Sequence, residues 1–251
     1  MATTETRMES SETRALNHTG INMSPTLTKE MLSGNALFKV GPVSSEEMAA
    51  IRTSYITLKT SVGSVPLPGT FRGFLQTGKE KLTGHNPEVL INKLGQRLAF
   101  ERTGVRLYDA LIMKCEADQT SPGADVISLD VLKQFRKEEA EHFELVKEVM
   151  DSIGADPTAQ TPDADASAMA ALGVIKVLTE PRTSFPQCLN ALLAAELTDN
   201  AAWELLVELA HGTGQSKTAQ RFQEALGQES KHVEQIKSWL REMTLQQATA
   251  I

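Results

Sequence analysis

Apolar side chains recur at helical spacing along four stretches between about residue 90 and residue 245. In the first stretch, six positions follow one another at alternating steps of four and three residues, which places them on one face of an α-helix. These positions are Leu94, Leu98, Glu101, Val105, Tyr108 and Ile112. The pattern predicts a helix whose buried face is interrupted by one carboxylate.

Capping residues and helix breakers set the limits of four long helices. Asn86 and Pro87 are a typical N-cap and first-turn pair, and the helix that they begin can continue to about Glu116. Ser128 can cap a second helix, which ends near Gly154 because glycine readily follows a helix in the left-handed conformation. The remaining predictions are a short helix at Ala166–Leu178, a third long helix from Ser184–Pro186 to Gly212, and a fourth from its cap Ser216 to about Gln246.

The region before these helices has weaker signals. Residues 1–24 are polar and rich in Ser, Thr and Glu, which predicts a flexible arm. Residues 25–85 are expected to form an extension with one or two helices. Ser44 and Glu47 have the spacing of a capping box for a helix that ends near Thr60, and the residues after it contain too many Gly and Pro for regular structure.

The composition of the 251-residue chain favours helices throughout. Ala, Leu, Glu, Gln, Lys and Met are abundant, aromatic residues make up 5%, and runs of alternating β-branched residues are hard to find. We therefore expect an all-α fold. Residues 86–247 would form a four-helix bundle of two helical hairpins joined by a long crossover, preceded by the partly helical extension.

Charge and cysteine content argue against several classes of protein. The net charge of −7 leaves no basic surplus to neutralise phosphates, so we expect no nucleic-acid partner. No run reaches the roughly 18–20 apolar residues of a membrane span, and the polar N-terminus lacks the apolar centre of a secretory signal. Cys115 and Cys188 lie in apolar helical stretches and are expected to be core residues. These features predict a cytoplasmic protein without a membrane partner.

Polar interruptions like Glu101 occur on the other three long helices. The second helix carries Glu139 and His142 on its apolar face. The third repeats the first with Glu196, and the fourth repeats the second with Glu229 and His232. Because residues three apart lie on the same side of a helix, the Glu and His of each pair can reach one cation.

Four carboxylates on buried faces need a counter-charge. An isolated buried carboxylate costs several kcal/mol unless it is protonated, paired or bound to a cation. We recognise no Lys or Arg on the same helix faces, so the sequence offers no side-chain partner. Two divalent cations match four carboxylates in formal charge, and Glu and His donors suit iron, manganese or zinc.

Neighbouring residues have simpler interpretations. Asp199 and Asn200 either orient the histidines through hydrogen bonds or make buried polar contacts between helices. Tyr108 is either a core aromatic that donates a hydrogen bond to a ligand or a catalytic residue, and Trp203 is expected to pack in the core. The acids assigned to solvated faces are Glu138, Glu141, Glu144, Glu148, Glu204, Glu208, Glu224 and Glu234.

The ligand order resembles that of the ferritin-like di-iron carboxylate superfamily, which includes bacterioferritins, rubrerythrins and several oxygenases. The resemblance covers about residues 87–246. Tyr108 stands seven residues after Glu101, where this superfamily often has a tyrosine near the metals. Unlike rubrerythrins, the chain has Leu193 instead of an additional glutamate before the third-helix ligand, and it lacks their cysteine-rich iron–sulfur module. The residues that carry the resemblance are Glu101, the Glu-x-x-His pair Glu139 and His142, Glu196, and the pair Glu229 and His232.

The resemblance implies a pair of metal ions, iron or manganese or a mixed Fe/Mn pair, that react with O₂ or peroxide. One expectation is an oxidoreductase, in which the N-terminal extension could complete a pocket for a small-molecule substrate. The alternative is a storage-type, iron-binding ferroxidase without an organic substrate. Homodimers are common among such bundles, and we expect one here.

Overall fold

The computed structural model describes residues 25–35, 44–57, 62–66 and 87–249, and within these ranges the regular structure is entirely helical. The seven helices of these described ranges are α1 Pro25–Asn35, α2 Ser45–Thr57, α3 Pro87–Ala117, α4 Leu129–Ser152, α5 Pro162–Thr179, α6 Phe185–Gly212 and α7 Ser216–Thr249. The predicted all-α class is therefore confirmed. The predicted flexible arm, residues 1–24, and the cap residue Asn86 lie outside the described residues.

The chain divides into two compact units, residues 1–60 and residues 61–251. The first unit contains α1 and α2. Helix α2 begins with the predicted capping box, in which the Ser44 N–H donates to Glu47 Oε2 (2.8 Å) and the Glu47 N–H donates to Ser44 Oγ (3.0 Å). The predicted boundary between extension and bundle, near residue 85, falls outside the described residues and stays a prediction.

In the second unit, local signals begin and end the helices. Ser128 Oγ accepts from the Val131 N–H at the start of α4, and Gly154 follows this helix with φ +77°. Helix α5 begins earlier than predicted, because Thr161 caps it and Pro162 occupies its first turn. The prediction that Ser216 caps α7 is wrong by one residue, since the helix begins at Ser216 itself.

Four long helices form the bundle, and the crossover helix packs on its side. Helices α3 and α4 make one hairpin, α6 and α7 make the other, and α5 packs against α3 and α6. Additional contacts join α3 to α6 and α4 to α7. This is the arrangement of two hairpins with a long crossover that the sequence predicts. No helix in the described ranges is both long and apolar enough to cross a membrane.

Two apolar clusters fill the interior of the bundle at different levels along the helices. One contains Leu111, Leu132, Leu189 and Trp239, and the other contains Leu94, Val146, Trp203 and Phe222 among its members. Each of the four long helices contributes to both clusters. Between the two clusters every long helix contributes buried polar residues, so a polar layer crosses the middle of the bundle.

The contact between α3 and the start of α5 depends on a glycine. A Cβ atom at Gly95 would lie 2.5 Å from Thr161 Oγ1 and 2.7 Å from Thr161 Cγ2. Thr161 is buried, and its hydroxyl accepts from the Ala164 N–H and donates to the backbone oxygen of Asn92. This cap therefore fixes the crossover helix against α3 and leaves no room for a side chain.

We expect Gly95→Ala to lower the free energy of unfolding by about 1–3 kcal/mol, because the added methyl group must displace the Thr161 cap. Gly173→Ala in α5 is the matched control, since nothing lies within 4 Å of its Cβ position. Removing a helix-interior glycine there should raise the stability by about 0.5–1 kcal/mol. Denaturant unfolding of both variants measures the difference, and equal effects would contradict the close contact.

Candidate metal centre

All six residues predicted as metal ligands converge in the polar layer. Each is at most 3% exposed, and the four bundle helices supply at least one each. They are Glu101 on α3, Glu139 and His142 on α4, Glu196 on α6, and Glu229 and His232 on α7. The apolar spacing of each helix turns these side chains inward at the level where the apolar clusters are interrupted.

One group of donors surrounds His232 and is called the His232 position below. It consists of Glu139, Glu196, Glu229 and His232, whose ligand atoms all lie within 4.8 Å of one another. The imidazole Nδ1 is 3.4 Å from Glu139 Oε1, 3.5 Å from Glu196 Oε2 and 3.3 Å from Glu229 Oε2. Three carboxylate oxygens and one nitrogen are therefore directed at one small volume.

A second group surrounds His142 and is called the His142 position. Glu101, His142 and Glu229 place their ligand atoms within 4.8 Å of one another. His142 Nδ1 is 2.7 Å from Glu229 Oε1 and 3.7 Å from Glu101 Oε2. The two oxygens of Glu229 face different histidines, so this carboxylate lies between the two positions, as a bridging ligand would.

The histidines are oriented by partners on their outer nitrogens. His232 Nε2 lies 2.8 Å from Glu138 Oε2, and His142 Nε2 lies 2.9 Å from Gln228 Oε1. Because both partners are oxygen acceptors, each Nε2 carries a proton and each Nδ1 can present a lone pair to the carboxylates. Both Nδ1 atoms and both oxygens of Glu229 are buried without a hydrogen-bond partner.

Acceptor atoms that face one another in a buried site require protons or cations between them. Here the acceptors are two imidazole nitrogens and carboxylate oxygens on all four helices. Outer-nitrogen hydrogen bonds of the kind made by Glu138 and Gln228 are the usual support of metal-bound histidines. The residues present thus fit a pair of divalent cations, with Glu101 and His142 at one position and Glu196 and His232 at the other.

The expectation that no Arg or Lys shares the polar faces is wrong. Arg97 is 2% exposed, its Nε lies 2.7 Å from Glu101 Oε1, and its Nη1 pairs with the carboxylate of Asp199. Nη1 also donates to the backbone oxygen of Asp199 (3.2 Å). Arg97 precedes Glu101 by four residues, one helical turn, and this spacing is the signal that could have identified it.

Asp199 contacts Arg97 and not the histidines, so its predicted role in orienting them is wrong and the alternative, a buried contact between helices, holds. The formal charges of Arg97 and Asp199 cancel. The four ligand glutamates therefore keep a formal charge that two divalent cations would balance. Asn200 donates to Ser230 Oγ (3.0 Å), which is likewise a contact between helices.

Glu138 is also placed differently from its prediction. Its side chain is 15% exposed and contacts His232, so it is part of the site and does not lie on a solvated face. Gln228, its counterpart beside His142, was not predicted at all. Both residues immediately precede a ligand glutamate of the two Glu-x-x-His pairs, and this shared position is the only sequence signal of their role.

Tyr108 and Trp203 lie on opposite sides of the site. The Tyr108 hydroxyl donates to Glu196 Oε1 (2.7 Å), and its ring centroid is 5.9 Å from that of His232. The Trp203 ring is fully buried, with its centroid 5.5 Å from that of His142. Tyr108 therefore contacts a ligand directly, whereas Trp203 packs beside the other histidine.

Burial and crowding of like charge raise the affinity of the layer for protons. Burial raises the pKa of Glu101 to about 7, although the Arg97 guanidinium opposes the shift. Burial, reinforced by the charge of Glu229, holds the pKa of Glu139 well above its usual range. Burial also opposes charge on His142, but its interactions with Glu229, Glu101 and Gln228 together outweigh this effect and raise the pKa of the imidazole.

Close packing around Glu139 requires a glycine on α3. A Cβ atom at Gly104 would overlap Glu139 Oε2 and approach its Cδ within 2.7 Å. Gly104 lies one turn after Glu101, so α3 approaches α4 at the level of the site. The absence of a side chain at this position admits the Glu139 carboxylate to the layer.

We expect Gly104→Ala to displace Glu139 and lower the affinity for divalent metal by on the order of tenfold or more. Gly227→Ala is the control, because Gly227 is two residues from Glu229 and nothing lies within 4 Å of its Cβ position. Metal content after dialysis, measured by plasma emission spectroscopy, distinguishes the variants. Equal metal content in the two would show that Glu139 does not need this space.

The raised pKa values predict how pH affects the metal-free protein. Between pH 4.5 and about 7 the folded protein retains a proton on Glu101 that the unfolded chain has released, so its stability falls as pH rises. The raised pKa of His142 has the same sign. Burial opposes the charge of Glu229, but its contacts with the histidines lower the pKa of this carboxyl. Its protonation therefore affects the stability only below about pH 4.5, the usual pKa of a glutamate.

Thermal unfolding at about pH 5 and about pH 7.5 tests this, and the metal-free protein should have the lower Tm at the higher pH. Metal-loaded protein is the control. Cations replace the protons there, so its stability should instead rise with pH. A Tm that increases with pH in both forms would contradict the assignment of the layer as a proton-loaded cation site.

Comparison with known proteins adds independent support for the fold. A family model described as Ferritin-like domain matches residues 91–245, which is more than half of the chain and includes all six ligand candidates. Neither curated proteins nor solved structures gave a match. The matched region begins within α3 and ends within α7, and thus comprises both hairpins and the crossover helix. The chain therefore belongs to the ferritin-like family.

Proposed function

We propose that this protein is an oxidoreductase whose two metal ions, iron in the first instance and manganese or a mixed Fe/Mn pair as variants, react with O₂ or peroxide. The observation that carries the proposal is the pair of buried Nδ1 atoms that face four glutamates, with Glu229 between them. Carboxylate and imidazole donors without thiolates suit these metals.

The chain's own residues would hold and tune the metal pair. Glu101 and His142 would bind one ion, Glu139, Glu196 and His232 the other, and Glu229 belongs to both groups. A redox-active pair supplies two electrons for the reduction of dioxygen or peroxide. The apolar clusters on both sides exclude bulk water from the layer, which would limit side reactions with solvent.

Tyr108 is the residue that we propose to act in the reaction besides the ligands. Its hydroxyl holds a proton 2.7 Å from Glu196 Oε1. Burial and the charge of Glu196 raise the pKa of this phenol well above its usual value, so the proton stays on the tyrosine at neutral pH. The hydroxyl would therefore act as a hydrogen-bond donor that orients Glu196 and offsets part of its charge where this carboxylate holds a metal ion.

A cleft lined by residues of α3, α4, α5 and the segment before α5 supports an enzyme with a small-molecule substrate. Its volume is about 500 Å³, within the size range of small-ligand sites. Leu98 and Phe143, which are three residues from Glu101 and one from His142, form part of its wall, and Arg102 and Lys147 also line it. The alternative, a storage-type ferroxidase, needs no such cleft because Fe(II) itself is the substrate.

Metal analysis and oxygen consumption test the proposal. After anaerobic loading with Fe(II), the protein should hold two ions per chain and consume O₂ faster than free Fe(II). Glu229→Ala should lose both ions, because this carboxylate faces both positions. Glu234→Ala, an exposed acid on the same helix, should keep them.

Repeated Fe(II) additions separate the two functions. An enzyme should stay at two ions per chain through many additions, whereas a storage protein accumulates iron beyond that number. Retention of two ions by Glu229→Ala, or oxygen consumption no faster than that of the buffer, would overturn the proposed metal centre.

A further inference from the structure

We infer that the two metal positions have unequal affinity, so that the His232 position fills first and the His142 position second, and that Arg97 and Gln228 weaken the second. The inference rests on the proposed function to the extent that the centre must bind two divalent cations. It concerns this chain's own residues, because the asymmetry lies in groups beyond the six ligands.

The donor sets differ in number. Four residues direct ligand atoms at the His232 position, three of them carboxylates, whereas three residues direct ligand atoms at the His142 position. Glu229 is shared, so the contrast comes from Glu139 and Glu196 on one side and Glu101 on the other. A divalent cation gains more from three carboxylates and an imidazole than from two and an imidazole.

The groups behind the histidines also differ. Glu138, a carboxylate, accepts a hydrogen bond from His232 Nε2–H. Gln228, a neutral amide, accepts the corresponding hydrogen bond from His142 Nε2–H. A hydrogen bond to an ionised acceptor is roughly twice as strong as one between neutral groups. The hydrogen bond to Glu138 leaves more electron density on Nδ1 of His232, so His232 is the better metal ligand of the two histidines.

Among the six candidate ligands, Arg97 forms an ion pair only with Glu101, which belongs to the weaker side. Its Nε lies 2.7 Å from Glu101 Oε1, and the guanidinium withdraws charge from this carboxylate, whose other oxygen, Oε2, faces His142. A third grouping of acids, Glu101, Glu139, Asp199 and Glu229, has its oxygens within 4.8 Å of one another. Arg97 forms ion pairs with two of these four acids, so its positive charge already balances part of the negative charge of this grouping.

The guanidinium is also held in place. Nη1 binds both the carboxylate and the backbone oxygen of Asp199, and the guanidinium carbon lies 4.5 Å from the ring centroid of Phe100 and 5.8 Å from that of Trp203. On the stronger side, Glu196 has only the neutral hydroxyl of Tyr108. A neutral donor withdraws less charge from a carboxylate than a cation does. Donor number, histidine partner and neighbouring charge thus favour the same position.

Unequal affinities would make the reaction depend on the concentration of available metal. At limiting metal the protein would hold one ion, at the His232 position. Reduction of O₂ or peroxide by two electrons requires both ions, so the reaction would begin only when the metal concentration fills the His142 position. This second ion would also be the one that exchanges readily with the medium.

Titration of the metal-free full-length protein with Co(II), followed by calorimetry and by the visible absorption of the ion, tests the order. We expect two steps whose dissociation constants differ by at least about tenfold. His142→Ala should retain the tight step and lose the weak one, and His232→Ala should lose the tight one. Two steps of equal affinity would overturn the inference and leave the proposed function intact.

Three further variants assign the cause. Arg97→Gln and Gln228→Glu should each tighten the second step, by about tenfold, and leave the first unchanged. Arg97→Lys, which keeps the charge, should leave the second step weak. Gln228→Glu keeps the shape of a half-buried residue, so it remains informative if Arg97→Gln does not fold.

The remaining outcomes are equally decisive. If neither Arg97→Gln nor Gln228→Glu changes the second step, the residues named here do not set the order and the inference fails. If wild-type protein binds no Co(II), the inference and the proposed function fail together. Spectra separate these cases, because bound Co(II) absorbs differently from the aqueous ion.

Discussion

Charge neutrality in a dry layer is the constraint on which the rest of this structure depends. Four glutamates and two histidines cross the bundle between two apolar clusters, where uncompensated charge would cost far more than one domain's net stability. The residues around the layer balance its charge, orient its histidines or make room for its carboxylates. Arg97 and Asp199 cancel one another, Glu138 and Gln228 occupy the outer nitrogens of the histidines, and Gly104 leaves room for a carboxylate. The balance that remains corresponds to protons or to two divalent cations.

The fold follows from the sequence more directly than the site does. Helix spacing, the Ser128 cap and the glycine after α4 are local signals, and they locate the hairpins without knowledge of tertiary contacts. The convergence of the six Glu and His residues could also be predicted, because these residues stand out on otherwise apolar faces. Arg97 was missed despite its place one turn before Glu101, because an arginine on a helix is ordinarily solvated and its burial depends on Asp199, which is 102 residues away along the chain. Glu138 was missed for a related reason, since its partner His232 lies on another helix.

The two hairpins repeat one another, and the differences between the repeats are concentrated at the site. Three residues after the lone glutamate, the first hairpin has Gly104 and the second has Asp199. The glycine admits Glu139 from the neighbouring helix, whereas the aspartate binds the arginine of the other hairpin. A repeat of this kind supplies two similar sets of Glu and His side chains, and each substitution between the copies makes them less alike. The pattern thus explains both why the ligands match so closely and why the surroundings do not.

The side chains that donate to Glu101 and Glu196, the lone glutamates of the two hairpins, also differ between the repeats. Glu196 accepts a hydrogen bond from the Tyr108 hydroxyl, which comes from the opposite hairpin. The sequence counterpart of Tyr108 in the second hairpin is Trp203, whose indole N–H has no acceptor among the described residues, and the donor to Glu101 is instead Arg97 of its own helix. One carboxylate therefore meets a neutral donor and the other meets a cation. A cation withdraws more charge from a carboxylate than a hydroxyl does, so this replacement of one donor by another makes the two halves of the repeated layer chemically distinct.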